Sequence, residues 1–233
     1  NSPHKMLQLI KKQSGLTDSQ IANAKENEII NGCLFLFKEN YDIVFSSRLD
    51  FKFVIAPNLV FVSNLMFLDC KTLELMFMPK VQTIADGQWP NGAFSNTNIH
   101  QLSFPELQRL ASWAFSGCKL LHSITQTDLP VCVEAGQGVF CESGIVDVTL
   151  PKIKKMGMYC FWRCYELQRI NMVGVLELEA NCFSECSKLR AIRSVLGADK
   201  FICYVRDCNL GPKCVVCEKE IGGCLKQGQN LDE

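Results

Sequence analysis

Histidine is scarce in this sequence, three in 233 residues, and neither sign of charge prevails: 24 Lys and Arg stand against 24 Asp and Glu. A formal net charge of zero and a pI of about 6.9 leave no global attraction for a phosphate backbone or an anionic membrane surface. Nucleic acid is therefore set aside as a partner. No apolar run reaches the roughly 20 residues of a membrane-spanning helix; pieces such as "VIAPNLVFV" are too short, so no membrane insertion is expected. A Gly-rich phosphate loop, HExxH and GxSxG are all missing, and three histidines supply few general bases. These absences point to a non-catalytic chain without a cofactor. No asparagine opens an Asn-x-Ser/Thr sequon, which leans toward a cytoplasmic chain, with the cell surface or secretion as the alternative. The opening "NSPHKMLQLIKK" has neither an initiator Met nor a secretory apolar core, and reads as a processed end or an expression scar.

Cysteine is the opposite case, with 14 residues. The count leaves their redox state open, but their placement is informative. "YCFWRC" at 159–164 and "NCFSEC" at 181–186 both wrap Cys-x-x-x-Cys around a phenylalanine, 22 residues apart. The same shift carries Cys160 onto Cys182, Phe161 onto Phe183, Cys164 onto Cys186, Leu167 onto Leu189 and Ile170 onto Ile192. "ASWAFSGC" puts Phe115 and Cys118 in the same places.

A template follows. Three apolar residues alternate with variable ones and end at Pro; apolar residues come two and five positions later, Phe at ten and often Cys at thirteen. Ile145, Val148, Leu150, Pro151, Ile153, Met156, Phe161 and Cys164 fit it, as do Ile99, Leu102, Phe104, Pro105, Leu107, Leu110, Phe115 and Cys118. A third copy runs from Phe51 through Pro57 and Phe67 to Cys70. The copy from Leu73 carries five extra residues around "DGQWP" before Phe94; that from Leu121 carries about three near "TQTD" before Phe140. The copy from Leu167 replaces Pro with Val173. Degenerate copies flank these at 29–50, with Phe37 and Phe45, and at 189–210, with Leu189, Ile192 and Cys208.

Twenty-two residues are too few for the helix pairs of ankyrin or TPR arrays and enough for one short strand, a turn and a return. Stacked coils form a parallel ladder with rungs about 4.8 Å apart. Each Phe then lies beneath the next as a spine, and Pro marks where the strand leaves the ladder. The thiols at position thirteen are small, apolar enough for the interior and weak donors toward loop carbonyls. Cys160 and Cys182 occupy a place that holds Ala93, Ala114 and Val139 elsewhere. A position that accepts Ala or Val is a packing position, so zinc at 160/164/182/186 is rejected although the spacing allows it. A Cys160–Cys182 disulfide between neighbouring rungs stays open as the lesser reading.

The pattern LxxIxLPxxxxIxxxAFxxCxxL resembles BspA-type leucine-rich repeats, also described from treponemal surface antigens. The resemblance is strong over 51–188 and weak over 29–210. It implies an α/β solenoid: a right-handed leucine-rich-repeat superhelix with a parallel β-sheet on one face. It further implies a protein-binding, adhesion or cell-surface module whose repeat carries no catalytic residues. The family often carries Ile-Gly after the Pro-proximal segment, and here only Met156-Gly157 keeps it.

The chain divides into an N-terminal helical cap at 1–28, repeats at 29–210 with clear copies over 51–188, and a Cys-containing C-terminal cap or tail at 211–233. "LTDSQIANAKENEIING" reads as a helix opened by a Thr17/Gln20 capping box and stopped at Asn31-Gly32. Ile21, Ala22, Ala24 and Ile29 would face the first coil. Toward the C-terminus, Cys203, Cys208, Cys214, Cys217 and Cys224 form a Cys-rich cap of disulfides or free thiols. Zinc on Cys208, Cys214, Cys217 and Cys224 is disfavoured by irregular spacing and the lack of a nearby His. "CVVC" lacks the strand-then-helix context of a thioredoxin-like motif.

In each strand the variable positions point outward, onto the face leucine-rich repeats use for partners. Early rungs offer Lys52, Phe53, Ile55, Glu74, Leu75 and Phe77; middle rungs His100, Gln101, Ser103, His122, Ser123 and Thr125. Later rungs offer Val146, Asp147, Thr149, Gln168, Arg169, Asn171, Arg190 and Arg193. The face thus grades from apolar to polar to basic. Phe53, Ile55, Leu75 and Phe77 need a cover. That cover is either a partner, whose hot spot would be flanked by a basic rim at Arg169, Arg190 and Arg193, or the N-terminal segment folded over them. His100 and His122 on adjacent rungs suit a metal or a pH switch, against the plainer reading of solvated side chains. Trp89 in its insertion is a recognition aromatic or folds back on the coil, and the insertion at Thr125–Asp128 has the same status. The function expected is a non-catalytic module that binds another protein through its sheet face. The alternative is a cell-surface adhesin or antigen with a disulfide-bonded cap. Oligomeric state is left open.

Overall fold

Twenty-two residues close one turn, and the backbone of each turn hydrogen-bonds to the next. The chain, as a computed structural model, is described over residues 3–196. Two helices come first, α1 (Pro3–Ser14) and α2 (Asp18–Asn23), then a hairpin of β1 (Ile29–Ile30) and β2 (Cys33–Phe35). Two turns follow, with β3 (Phe53–Ile55) and β4 (Phe61–Val62), then β5 (Leu75–Phe77) and β6 (Thr83–Ile84). The remaining turns carry β7 (Arg109–Leu110), β8 (Ser123–Thr125), β9 (Glu134–Ala135), β10 (Asp147–Thr149), β11 (Lys155–Met156), β12 (Arg169–Asn171), β13 (Glu177–Leu178) and β14 (Ala191–Arg193).

The longer strands form the front of the stack. β2, β3 and β5 pair in parallel, as do β8, β10, β12 and β14, with residues matched one copy apart: Val54 with Met76, Val148 with Ile170. The short strands form a second ladder, β4 with β6 and β7 through β9 and β11 to β13. The result is a parallel-sheet solenoid of about seven turns. In the turn of Ile99 to Phe104 the apolar template positions are buried without a strand. Its His100 amide reaches back to Glu74 O at 3.3 Å, and its Phe104 amide reaches forward to Asp128 O at 2.9 Å.

Inside the stack the phenylalanines stand in file. Phe45, Phe67, Phe94, Phe115, Phe140, Phe161 and Phe183 stack with centroids 5.6, 5.5, 5.2, 5.9, 5.4 and 5.8 Å apart and planes within 23°. The separations exceed the rung spacing because parallel rings prefer to slide off one another. The degenerate copy at 29–50 supplies the first ring.

The N-terminus departs from expectation. The Thr17/Gln20 capping box is formed, but α2 ends at Asn23, well before Asn31-Gly32. The chain is drawn off the helix by the first rung: Asn27 N–H donates to Phe35 O, Phe35 N–H to Glu28 O, and Phe37 N–H to the Glu26 carboxylate, each at 2.9 Å. Asn31 and Gly32, at φ 50° and 74°, turn the β1–β2 hairpin. The segment read as a processed end or scar is α1, with Pro3 at its first position, Lys11 and Lys12 in its last turn, and Gly15 at φ 71° just past its end.

Phe115 is fully buried with a stacked ring on either side. Phe115→Ala is expected to lower unfolding free energy by about 3–5 kcal/mol in urea titration, and Phe115→Leu by clearly less. Ile10, the other fully buried anchor class, holds α1; Ile10→Asp should raise binding of a hydrophobic dye several-fold while the cooperative unfolding of the repeats persists.

Candidate functional site

The two faces of the front sheet have different fates along the stack. Inward side chains such as Leu34, Val54 and Met76 join the core that runs the length of the solenoid. Outward side chains of β2, β3 and β5, namely Cys33, Phe35, Phe53, Ile55 and Leu75, form a separate core with Met6, Ile10 and Leu16. Of the two covers expected for this patch the N-terminal segment is the one present, so its reading as a partner-binding hot spot is corrected: Phe53, Ile55 and Leu75 are 4%, 2% and 0% exposed, and Phe77 is half-buried. Helix α1 lies over them. The i, i+4 pair Met6 and Ile10 points to one side of the helix, a spacing readable in the sequence.

From β8 onward the same outward positions are polar or small, and exposed or half-buried. Ser123, Asp147, Arg169 and Ala191 share one column; Thr125, Thr149, Asn171 and Arg193 share the next. Asp147 accepts a two-pronged pair from Arg169, Nε at 2.6 Å and Nη2 at 2.9 Å, and both side chains stay in water. β10, β12 and β14 line a shallow cavity of about 300 Å³. On its floor Asn171 Oδ1 is buried without a hydrogen-bond partner. Arg190 lies just ahead of β14 and donates to Gln168 Oε1 at 2.6 Å. His122, exposed, places Nδ1 3.1 Å from Gly144 O, while His100 and Gln101 are half-buried in the strandless turn. Among the described residues no three His, Cys, Asp or Glu side chains are grouped to hold a metal ion.

The nine described cysteines are free and buried. Those at position thirteen each donate to the carbonyl of the spine phenylalanine one turn back: Cys70 to Phe45 (3.1 Å), Cys118 to Phe94 (3.2 Å), Cys164 to Phe140 (3.0 Å) and Cys186 to Phe161 (3.0 Å). Thr97 and Ser143 hold the same place in the intervening turns: Thr97 Oγ1 donates to Phe94 O of its own turn at 2.9 Å, and Ser143 Oγ lies 3.4 Å from Cys164 Sγ. Cys182 donates to Gly157 O at 3.0 Å, and Cys160 packs beside it as a free thiol. Burial pushes Cys70, Cys118 and Cys164 up to about 11. The Cys-rich tail, including Cys208, Cys214, Cys217 and Cys224, lies outside the described residues.

Six consecutive copies over residues 87–197 match the model of the BspA type leucine rich repeat region. That stretch belongs to the BspA-type leucine-rich repeats. The BspA-type period continues N-terminal of the match, since Phe45 and Phe67 stand in the same file. Two solved structures are similar at low identity. One is a leucine rich cell surface protein from Faecalibacterium prausnitzii: 15% identity, 66% of this chain and 62% of that one, TM-score 0.30. The other is a leucine-rich repeat protein from Bacteroides ovatus: 13% identity, 64% and 54%, TM-score 0.33. This chain spans less than two thirds of either, and no detail of them carries over at that similarity. No curated protein matches the chain.

A thiol held neutral in the fold and free to ionise near pH 9 once unfolded favours the fold below pH 9, and that contribution fades as pH climbs toward 11. Stability is thus expected to decline between about pH 9 and 11 in urea titrations. At pH 8 the buried cysteines should resist iodoacetamide in the folded protein and react on unfolding, as read by peptide mass spectrometry.

Proposed function

We propose that the chain is a non-catalytic repeat module that binds another protein on the sheet face of β8, β10, β12 and β14. One contrast carries this reading: identical outward positions are apolar and sealed by α1 on β2, β3 and β5, but polar or small, and exposed or half-buried, on the later strands. A partner there meets short side chains as a floor, with the exposed Arg169 standing over it and half-buried Arg193 at its edge. Asn171 Oδ1 offers an unmet buried acceptor, and a buried acceptor gains from any partner N–H that reaches it. The six BspA-type copies supply a run of stacked turns, and partner binding by the outward face of such a stack needs no further element. The balanced net charge favours a protein over nucleic acid as partner. No helix among the described residues is long and apolar enough to cross a membrane.

The test is charge reversal. The Arg169–Asp147 pair is exposed, so its loss costs roughly 0–1 kcal/mol, and Arg169→Glu should leave thermal unfolding near that of the parent. A partner identified by affinity capture on the parent is expected to bind the variant at least about tenfold more weakly. Undiminished binding by a folded variant would move the interface elsewhere.

A further inference from the structure

Trp89 and Trp162 form a second surface made of other residues, and we propose that this pair binds a neutral glycan by stacking against its sugar rings. Trp89 comes from the insertion that lengthens its copy by five residues, a piece the repeat geometry does not need. The insertion is nevertheless held. Gln88 and Asn91 exchange backbone hydrogen bonds at 3.0 and 2.6 Å, Gly87 N–H donates to Ser112 O at 2.9 Å, and Asp86 accepts from the Ser112 amide at 2.7 Å. So held, the indole crosses to Trp162, three spine positions further on, with centroids 6.4 Å apart and planes at 45°. Trp89 is still 56% exposed. A loop that only needed to pack its aromatic would not leave half of it in water.

Trp162 is fixed as well. Its Nε1–H donates to Glu185 at 3.1 Å, Tyr159 packs 5.4 Å away, and the Arg163 guanidinium lies 4.2 Å over the ring. Arg163 is in turn paired with Glu142 and Glu185 at 3.4 and 3.1 Å. The charges beside the indoles are thus already matched with one another, and one aromatic face is already filled by a cation. A strongly charged ligand finds little left to pair with. A polyol wants this mixture: a flat apolar face for its C–H groups and both donors and acceptors at the rim. The aromatic area is also small. Each ring offers about 150–250 Å² at most, whereas a specific protein interface covers roughly 800 Å² per partner; one or two sugar rings fit the patch.

The full chain is titrated with neutral hexasaccharides (cellohexaose, maltohexaose, mannohexaose and chitohexaose), following tryptophan fluorescence and the three indole N–H resonances. At least one is expected to bind in the millimolar range and to shift the Trp89 and Trp162 signals ahead of buried Trp113. Trp89→Ala should weaken that binding by about tenfold or more, Trp89→Phe by less, both without change in thermal unfolding. Arg169→Glu on the sheet face should leave it untouched, which separates this site from the proposed protein interface. Absence of binding by all four sugars, or binding that survives Trp89→Ala, overturns the proposal. Trp89-dependent capture of a protein with no sugar bound does so too.

Discussion

Each spine phenylalanine is fixed twice, through its ring and through its backbone. The amides of Phe45, Phe67, Phe94, Phe115, Phe140 and Phe161 all donate to a carbonyl of the next turn at 2.6–2.9 Å, immediately beside that turn's own phenylalanine. Backbone and ring therefore step together, and the extra residues of the longer turns are looped out between rings so that both contacts survive. To place the ring inward, the chain visits the left-handed region on either side of it: Leu65 and Asp69 around Phe67, Tyr159 and Arg163 around Phe161, Asn181 and Glu185 around Phe183. Such residues cost roughly 1–2 kcal/mol each when not glycine. Burial of a phenylalanine, worth about 3–5 kcal/mol when deleted, with the two inter-turn hydrogen bonds, offsets that. Where a glycine does occur, at Gly138 (φ 57°), a Cβ would sit 2.1 Å from the Trp113 ring. There the neighbouring turn, not the backbone alone, demands it.

The cysteines follow from the same arrangement. A spine carbonyl turned into the stack already receives the amide three residues on, and a small donor from the following turn completes its second lone pair. Cys70, Cys118, Cys164 and Cys186 do this as thiols, while the Thr97 hydroxyl donates to Phe94 O within its own turn and Ser143 Oγ lies 3.4 Å from Cys164 Sγ. Abundant cysteine is thus a packing choice in these turns, and the raised thiol values are its consequence, because a site that excludes water disfavours thiolate. Charge follows the stacking too. Lys52 meets Glu74, Arg109 meets Glu134, Arg169 meets Asp147 and Lys188 meets Glu166, each across one rung. A stack that placed like charges one above the other would repel along its whole length, so a net charge of zero is what cross-rung pairing leaves behind.

How much of this was legible depended on period. Phe67 through Phe183, the inward Val148 and Ile170, and the outward Asp147 and Arg169 were readable because a 22-residue shift fixes which side chains share a column. So was the position-thirteen thiol, as a small interior donor toward a loop carbonyl. The Thr17/Gln20 cap was readable from local chemistry. What failed lay between periodic and local signals. Nothing in "NEIING" reveals that Asn27 and Glu28 will pair with Phe35 in preference to continuing α2, because that competition is settled by a strand still to come. Met6 and Ile10 carry a helical spacing, and cover by the N-terminal segment was one of two readings; the choice rests on its apolar partners Phe53, Ile55 and Leu75, about 43 to 69 residues away. Tertiary contact, not propensity, makes α1 a structural element.

The division of the front face into a sealed and an open part has a geometric basis. Apolar side chains left in water cost about 25 cal/mol for each Å², so an outward column of Phe53, Ile55, Leu75 and Phe77 must be covered. Helix α1 has 12 residues, hence a length of about 18 Å, against about 4.8 Å per rung. Laid along the stack, it spans between three and four rungs. The apolar outward positions occupy three strands, β2, β3 and β5, with Phe77 at their margin half in water. The next turn carries His100 and Gln101, and the outward positions beyond it are polar or small apart from half-buried Val146 and the aliphatic stems of Arg169 and Arg193. The sequence of the face therefore changes character where the helix runs out, as it must if α1 is the only cover available to those rungs. Beyond that margin the outward columns of the described strands are largely polar, so in the proposed interface a partner on Asp147, Thr149, Arg169 and Asn171 would be recognised chiefly by hydrogen bonds and charge.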